Sequence, residues 1–318
     1  MRHDSFPAPS TVSEQAREWL AFDKSELTYP ALDDTGGWLA LAEEANRSTA
    51  RRFPVADLPV TVEDLDVGGV TVYAARPEGV EEDADEPVYL WMHPGGLVVG
   101  GGDACRTTTA RTASGAGLLV WGVDYRLPPL HPYPAGLDDA LAVYRRLLRD
   151  RDPARVFVGG DSAGGNIAAA LLLRAKDAGL PMPAALVLNT PQVDLTESGD
   201  TFRTLVGVDN VLRSLRTPNA LYAAGADPRE PYLSPVLGDL TGFPPTFLRS
   251  GTRDLFLSNT VRMHRRLRDA GVAADLHVFE AMPHAGFGGD SPEDREAVAE
   301  QRRFLAGHGV PLREKEDA

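Results

Sequence analysis

The chain has a single cysteine, Cys105, in 318 residues. No intramolecular disulfide can form, nor a cysteine-based metal cluster. Its neighbours Ala104 and Arg106 give no nucleophile signature, so Cys105 is expected to pack within a helix. No stretch approaches the ~18 apolar residues of a membrane span. The start, Met1-Arg2-His3-Asp4-Ser5-Phe6-Pro7, lacks the apolar run of a secretory signal, and the expected location is the cytoplasm. Basic residues are in deficit: 32 Lys and Arg face 46 Asp and Glu, a formal charge of −14. That balance argues against nucleic acid or an anionic membrane as the main partner. Part of the acidic excess, Glu81-Glu82-Asp83-Ala84-Asp85-Glu86, reads as a solvated loop. Internal repeats and long low-complexity segments are also missing.

What is present is 43% hydrophobic residues, enough for a sizeable core, arranged in a repeating order. From about residue 59, short apolar runs alternate with longer helical stretches, the pattern of an α/β sheet. Strands are expected at Pro59 to Glu63, Val70 to Ala75, Val88 to Met92, Leu118 to Val123, Val156 to Gly159, Leu186 to Asn189, Thr246 to Ser250 and Asp275 to Phe279. The middle runs are apolar throughout, as parallel strands covered on both faces should be. Helices are expected at Thr107 to Ala116, Ala135 to Arg149, Asn166 to Ala178, Ser258 to Ala270 and Pro292 to His308. Two segments stand outside this alternation. Residues 1–50 carry helical periodicity (Val12 to Phe22, Trp38 to Ala50) and residues 195–225 form a polar, then helical, insertion. Open α/β sheets place ligands at the C-terminal edge of their strands, and both segments are expected to fold over that edge as one helical cap on a single domain, 1–318. Trp38, Phe202, Leu205, Val206, Leu212 and Leu215 are the apolar residues expected to shape a pocket there.

The most informative stretch is Gly160-Asp161-Ser162-Ala163-Gly164, a G-x-S-x-G sequence between an apolar strand and an alanine- and leucine-rich helix. A serine on so sharp a strand-to-helix turn is held in a strained conformation with its hydroxyl exposed, and the residues two before and two after must be small. Upstream, His93-Pro94-Gly95-Gly96 follows a strand. Attack on an acyl carbon develops a negative oxygen that needs preorganised donors, and the backbone N–H groups of Gly95, Gly96 and Ala163 are placed to supply them. A serine nucleophile also needs a base, and the base a carboxylate. Of seven histidines, His284 lies just beyond the last strand, whereas His3, His264, His277 and His308 lie in the terminal tail, a helix, a strand and a helix end. His93 and His131 are expected to serve as scaffolding near the site. Asp254 follows the strand Thr246 to Ser250; Asp194 also follows a strand and is its rival. The order Ser162, Asp254, His284 is that of one family of hydrolases.

At these residues the sequence resembles the bacterial hormone-sensitive-lipase-like esterases of the α/β-hydrolase family, over residues 60–305 or so. Asp124-Tyr125-Arg126-Leu127, His131-Pro132-Tyr133-Pro134-Ala135 with Asp138-Asp139, and Asp227-Pro228 with Ser234-Pro235 carry the resemblance beyond the motifs above. Within the family the branch of acetyl esterases and monoterpene ε-lactone hydrolases is the most similar. The resemblance implies an α/β-hydrolase fold, with a mostly parallel central sheet flanked by helices and a helical cap. It also implies hydrolysis of a small-molecule ester or lactone, no metal or cofactor, and a frequent habit of forming homodimers. Acyl transfer to an acceptor other than water, or ligand binding without catalysis, are the alternatives on the same scaffold. The family's usual His-Gly-Gly-Gly is altered here by Pro94, at a position whose N–H the oxyanion does not use.

Overall fold

The apolar runs pair side by side into one sheet. The computed structural model describes residues 6–21, 28–56, 58–81, 83 and 85–310. His3, Phe22, and Glu82 and Ala84 of the acidic loop lie outside them. The eight strands are β1 (Val60–Val67), β2 (Val70–Pro77), β3 (Val88–Met92), β4 (Leu119–Val123), β5 (Val156–Asp161), β6 (Ala185–Asn189), β7 (Thr246–Gly251) and β8 (Ala274–Phe279). Their order across the sheet is β1-β2-β4-β3-β5-β6-β7-β8. β1 and β2 pair antiparallel, as do β2 and β4, and all further pairings are parallel.

Side chains that alternate along a strand feed two separate cores. Val88, Leu90 and Met92 of β3 join a cluster with α4 (Ala135–Asp150), α5 (Ala163–Asp177) and α8 (Leu257–Asp269). Tyr89 and Trp91 point the other way, to α3 (Asp103–Ala116) and α9 (Pro292–Gly307). Both faces are therefore covered, which is why β3 reads as unbroken apolar sequence. α5 begins at Ala163, three residues before its apolar periodicity does. α3 begins at Asp103, so that Cys105 lies buried in its first turns.

Before the sheet come α1 (Glu14–Leu20) and α2 (Thr35–Arg52). Ser13 caps α1, accepting from the Ala16 N–H, and its own N–H and hydroxyl donate to Glu293 at the start of α9. Val12, Ala16 and Leu20 then pack on Ala281, Met282, Phe287 and Ala297. The N-terminal helix is thus fastened beneath the loop that follows β8. Between β6 and β7 the chain makes a one-turn helix, α6 (Thr201–Thr204), the short α7 (Arg216–Ala223) and a 3-10 turn at Pro235–Leu237. No helix among the described residues is long and apolar enough to cross a membrane.

Candidate active site

β3, β5, β7 and β8 run in the same direction, so the segments leaving them emerge at one edge of the sheet. Ser162 follows β5 directly, at φ 55° and ψ −116°, a left-handed conformation that costs a non-glycine residue about 1–3 kcal/mol. The turn is possible only because its neighbours lack side chains. A Cβ on Gly164 would lie 1.9 Å from the Met92 carbonyl oxygen. β7 and β8 are joined by a similar close approach: a Cβ on Gly251 would lie 2.0 Å from the Met282 carbonyl oxygen. The loops that carry Asp254 and His284 therefore cross in contact.

These crossings bring the three sequence candidates into one chain of hydrogen bonds. Ser162 Oγ and His284 Nε2 are 2.9 Å apart, and His284 Nδ1 lies 2.9 Å from Asp254 Oδ1. Asp254 is fully buried; its Oδ2 accepts from the Ser250 hydroxyl at 2.6 Å and its Oδ1 from the Phe256 N–H at 2.9 Å. Burial alone would lower the pKa of His284, but the adjacent Asp254, by charge and hydrogen bond, and then Asp209 more than offset it. The imidazole is left above its ordinary value. Phe256 meets the His284 ring edge-on, with centroids 4.9 Å apart.

The rival carboxylate is engaged elsewhere. Asp194 accepts from Thr196, Ser198 and Arg262, and among the described residues it has no bond to a histidine. Burial would raise its pKa, but those donors hold it below the ordinary carboxylate value.

A second acid beside Asp254, Asp209, carries no motif and was not anticipated. It is fully buried, and it accepts backbone N–H groups from Leu255 at 2.8 Å, Val211 at 2.8 Å, Leu212 at 3.1 Å and His284 at 3.4 Å. One carboxylate thus ties the acid loop, the base loop and the segment between β6 and β7 together. Its pKa is pushed up to about 6, chiefly by burial and next by the Asp254 charge; His284 and the Leu255 and Val211 N–H groups act in the opposite sense.

Gly95 and Gly96 leave β3 with φ of 139° and 60°, and both line the same cavity as Ser162. Among the described residues, no acceptor takes the N–H of Gly95, Gly96 or Ala163. Ala163, the first residue of α5, is fully buried and has no intrahelical partner for its N–H. The loop is held from below by the sequence Asp124-Tyr125-Arg126. Asp124 accepts from the Gly102 N–H at 3.1 Å, and the Tyr125 hydroxyl donates to the His93 carbonyl at 2.8 Å. Arg126 grips Asp139 on α4. His93 is buried and stacked 4.0 Å from Tyr125, and its Nδ1 lies 2.8 Å from the Pro94 carbonyl oxygen. His131 is exposed.

Above the serine is a cavity of about 600 Å³. Its walls include Tyr29, then Leu41 and Ala45 of α2, Leu212 and Leu215 from the segment before α7, and Pro218 of α7. Of the six residues expected to shape a pocket, only Leu212 and Leu215 line it. Trp38 is buried against Tyr29, with its indole N–H on the Ala31 carbonyl; Phe202 packs on Phe256; Val206 faces solvent. Helical periodicity identified an apolar face of α2, but Trp38 on that face is used to fasten the chain before α2 and not to line the cavity.

A family model described as the alpha/beta hydrolase fold matches residues 89–287. An acetyl-hydrolase of Streptomyces hygroscopicus is 34% identical over 244 residues, 75% of this chain and 80% of that protein. The crystal structure of an esterase, E25, superposes with a TM-score of 0.88 at 35% identity, covering 95% of this chain and 96% of its own. That of an esterase from the bacterial hormone-sensitive lipase family gives 0.76 at 33% identity, covering 92% and 95%.

Proposed function

This chain belongs to the α/β-hydrolase family, among its bacterial hormone-sensitive-lipase-like members, and from that premise we propose that it is a serine carboxylic-ester hydrolase in which Ser162, His284 and Asp254 act as the catalytic triad on small to medium esters. The observation that carries this reading is the unbroken Ser162–His284–Asp254 hydrogen-bond chain at the floor of a cavity also lined by Gly95 and Gly96.

Ser162 Oγ attacks the ester carbonyl while His284 Nε2 takes its proton. Asp254 keeps the Nδ1 proton in place, fixing the tautomer, and stabilises the imidazolium. The negative charge that develops on the carbonyl oxygen is met by the free N–H groups of Gly95, Gly96 and Ala163. His284 then gives its proton to the leaving alkoxide, and in the second half it activates the water that releases the acid. The described parts of two chain segments, 1–50 and 195–225, serve as a composite cap, since Leu41 and Ala45 of α2 and Leu212 and Leu215 before α7 line the cavity that holds Ser162. A lactone would open by the same steps.

A fluorophosphonate probe tests the reading. One covalent adduct per chain is expected, on the peptide containing Ser162. Ser162→Ala should lose both labelling and the hydrolysis of p-nitrophenyl esters while keeping its fold by circular dichroism. A lactone series run beside the ester series sorts the substrate class. Labelling on another serine, or an active Ser162→Ala protein, would rule the reading out.

A further inference from the structure

The cavity is unusual in its charge. In a chain of formal charge −14, its charged lining apart from His284 is Arg52, Arg111, Arg249 and Asp161. Asp161, the lone acid, already accepts from the Trp91 indole N–H at 2.6 Å. Arg52 projects from the end of α2, 4.5 Å above the Trp19 ring and 5.4 Å from Phe53. Arg111, half-buried on α3, lies over the same Phe53 ring, 4.9 Å from its centroid. Among the described residues neither guanidinium has a carboxylate within ion-pair distance, whereas Arg47, Arg51 and Arg106 nearby all do.

Stacking on aromatic rings accounts for where Arg52 and Arg111 lie but not for what their N–H groups are for. A guanidinium over an aromatic ring keeps five donors in its own plane, a fork matched to the two oxygens of a carboxylate. Two such groups lining the same cavity as Ser162 describe a site for a molecule that carries an anion as well as an ester.

We propose that the preferred substrates are carboxylate-bearing esters, held through Arg52 and Arg111 with the scissile carbonyl at Ser162. This rests on the ester-hydrolase reading above. Water's hydroxyl would end on the acyl carbon and the leaving alkoxide would take the proton; the remote carboxylate is bound and unchanged.

The test uses two matched pairs, each corrected for its rate of alkaline hydrolysis. On the acyl side these are mono-p-nitrophenyl glutarate and p-nitrophenyl hexanoate. On the alcohol side they are 3-acetoxybenzoate and its methyl ester. In at least one pair the anionic ester should be favoured in kcat/KM by about tenfold at low salt, the scale of one partly screened charge-assisted hydrogen bond. That preference should shrink in 0.5 M NaCl, as an exposed ionic contact does. Arg52→Gln and Arg111→Gln should each cut the anionic-to-neutral ratio several-fold, mainly through KM, and Arg111→Lys should restore part of it. A merely structural stack would change the melting temperature and leave the ratio alone. Equal or better use of the neutral ester in both pairs, measured on the unaltered enzyme, overturns the proposal. If p-nitrophenyl acetate is not hydrolysed either, it is the ester-hydrolase reading that has failed.

Discussion

The floor and the roof of the cavity are held in place by different means. On the floor, Ser162, Asp254 and His284 stand on segments leaving three sheet strands, and glycines allow the close approaches that set them: Gly164 against Met92 at the end of β3, Gly251 against Met282. In the roof, α2 and the residues before α7 rest on side-chain contacts and on single polar anchors such as Asn46, whose Oδ1 accepts from the Gly100 N–H. The floor tolerates almost no change in backbone position, because a Cβ has nowhere to go. The roof can change side chains at modest cost. Rate should therefore be set below and selectivity above, and substitutions in the two regions should differ in kind as well as in size.

The largest expected effect separates two of the buried acids, Asp254 and Asp194. Asp254→Asn should lower kcat by about 10⁴, because the amide cannot hold the tautomer that makes His284 Nε2 a base. Asp194→Asn removes an ion pair with Arg262 and loosens the segment after β6. It should cost stability, on the order of 1–3 kcal/mol, yet leave activity per folded molecule within a few-fold. If Asp194→Asn proved the more damaging to kcat, the floor would not be the arrangement described.

The ease of reading followed the same division. Ser162 was legible because the elbow's steric demand fixes Gly160 and Gly164 in the sequence, and Asp254 and His284 because strand ends can be located from apolar runs. Asp209 left no trace: a carboxylate that accepts backbone N–H groups from an irregular segment has no characteristic spacing, and its neighbours Val211 and Leu255 come together only in the folded chain. Trp38 was misread for a related reason. Periodicity shows that a residue faces inward, not which of two neighbours it meets, and Trp38 meets Tyr29 instead of the cavity.

Asp209 joins the two regions, so removing it should affect both. Asp209→Ala leaves buried N–H groups of Leu255, Val211, Leu212 and His284 without their acceptor, which should cost at least about 2 kcal/mol in urea unfolding. Asp209→Asn preserves the shape and isolates the charge. A carboxyl whose folded pKa is about 6 retains a proton that the unfolded chain releases near pH 4. Its contribution to stability is thus present at low pH and lost as pH rises through that window; the Asn variant should show a flatter stability curve between pH 4 and 6. His284 works in the same sense at higher pH: its raised pKa favours the folded state below the unfolded value and that benefit fades as the imidazole deprotonates. Activity needs the neutral ring, so kcat/KM should rise with pH along one ionisation centred above about 6.5. Because Asp209 helps to keep that pKa up, Asp209→Asn should move the midpoint toward acid. A midpoint unmoved or shifted toward base would show that its charge is not felt at the base.

The smallest expected effect belongs to the roof alone. Leu212 is half-buried and lines the cavity, whereas Leu215 beside it is buried, and a Cβ built on Gly96 would meet its methyl at 3.5 Å. Truncating Leu215 would open a hole next to the oxyanion loop, costing the 2–5 kcal/mol or so of a core leucine and disturbing the floor as well. Truncating Leu212 removes apolar wall without creating an internal cavity, since its outer side already faces open space. The loss then falls on whatever chain lies against it, at about 0.8 kcal/mol for each methylene no longer covered. For Leu212→Ala the ratio of kcat/KM for p-nitrophenyl butyrate to that for the acetate should fall by about threefold to tenfold, with most of the change in KM. An acetyl group is too short to feel a change in a distant wall, so the ratio reads the roof and cancels the floor. A fall in kcat shared equally by both esters would mean that Leu212 acts through Asp209, whose Oδ1 receives its N–H, and the separation of floor from roof would break at that bond.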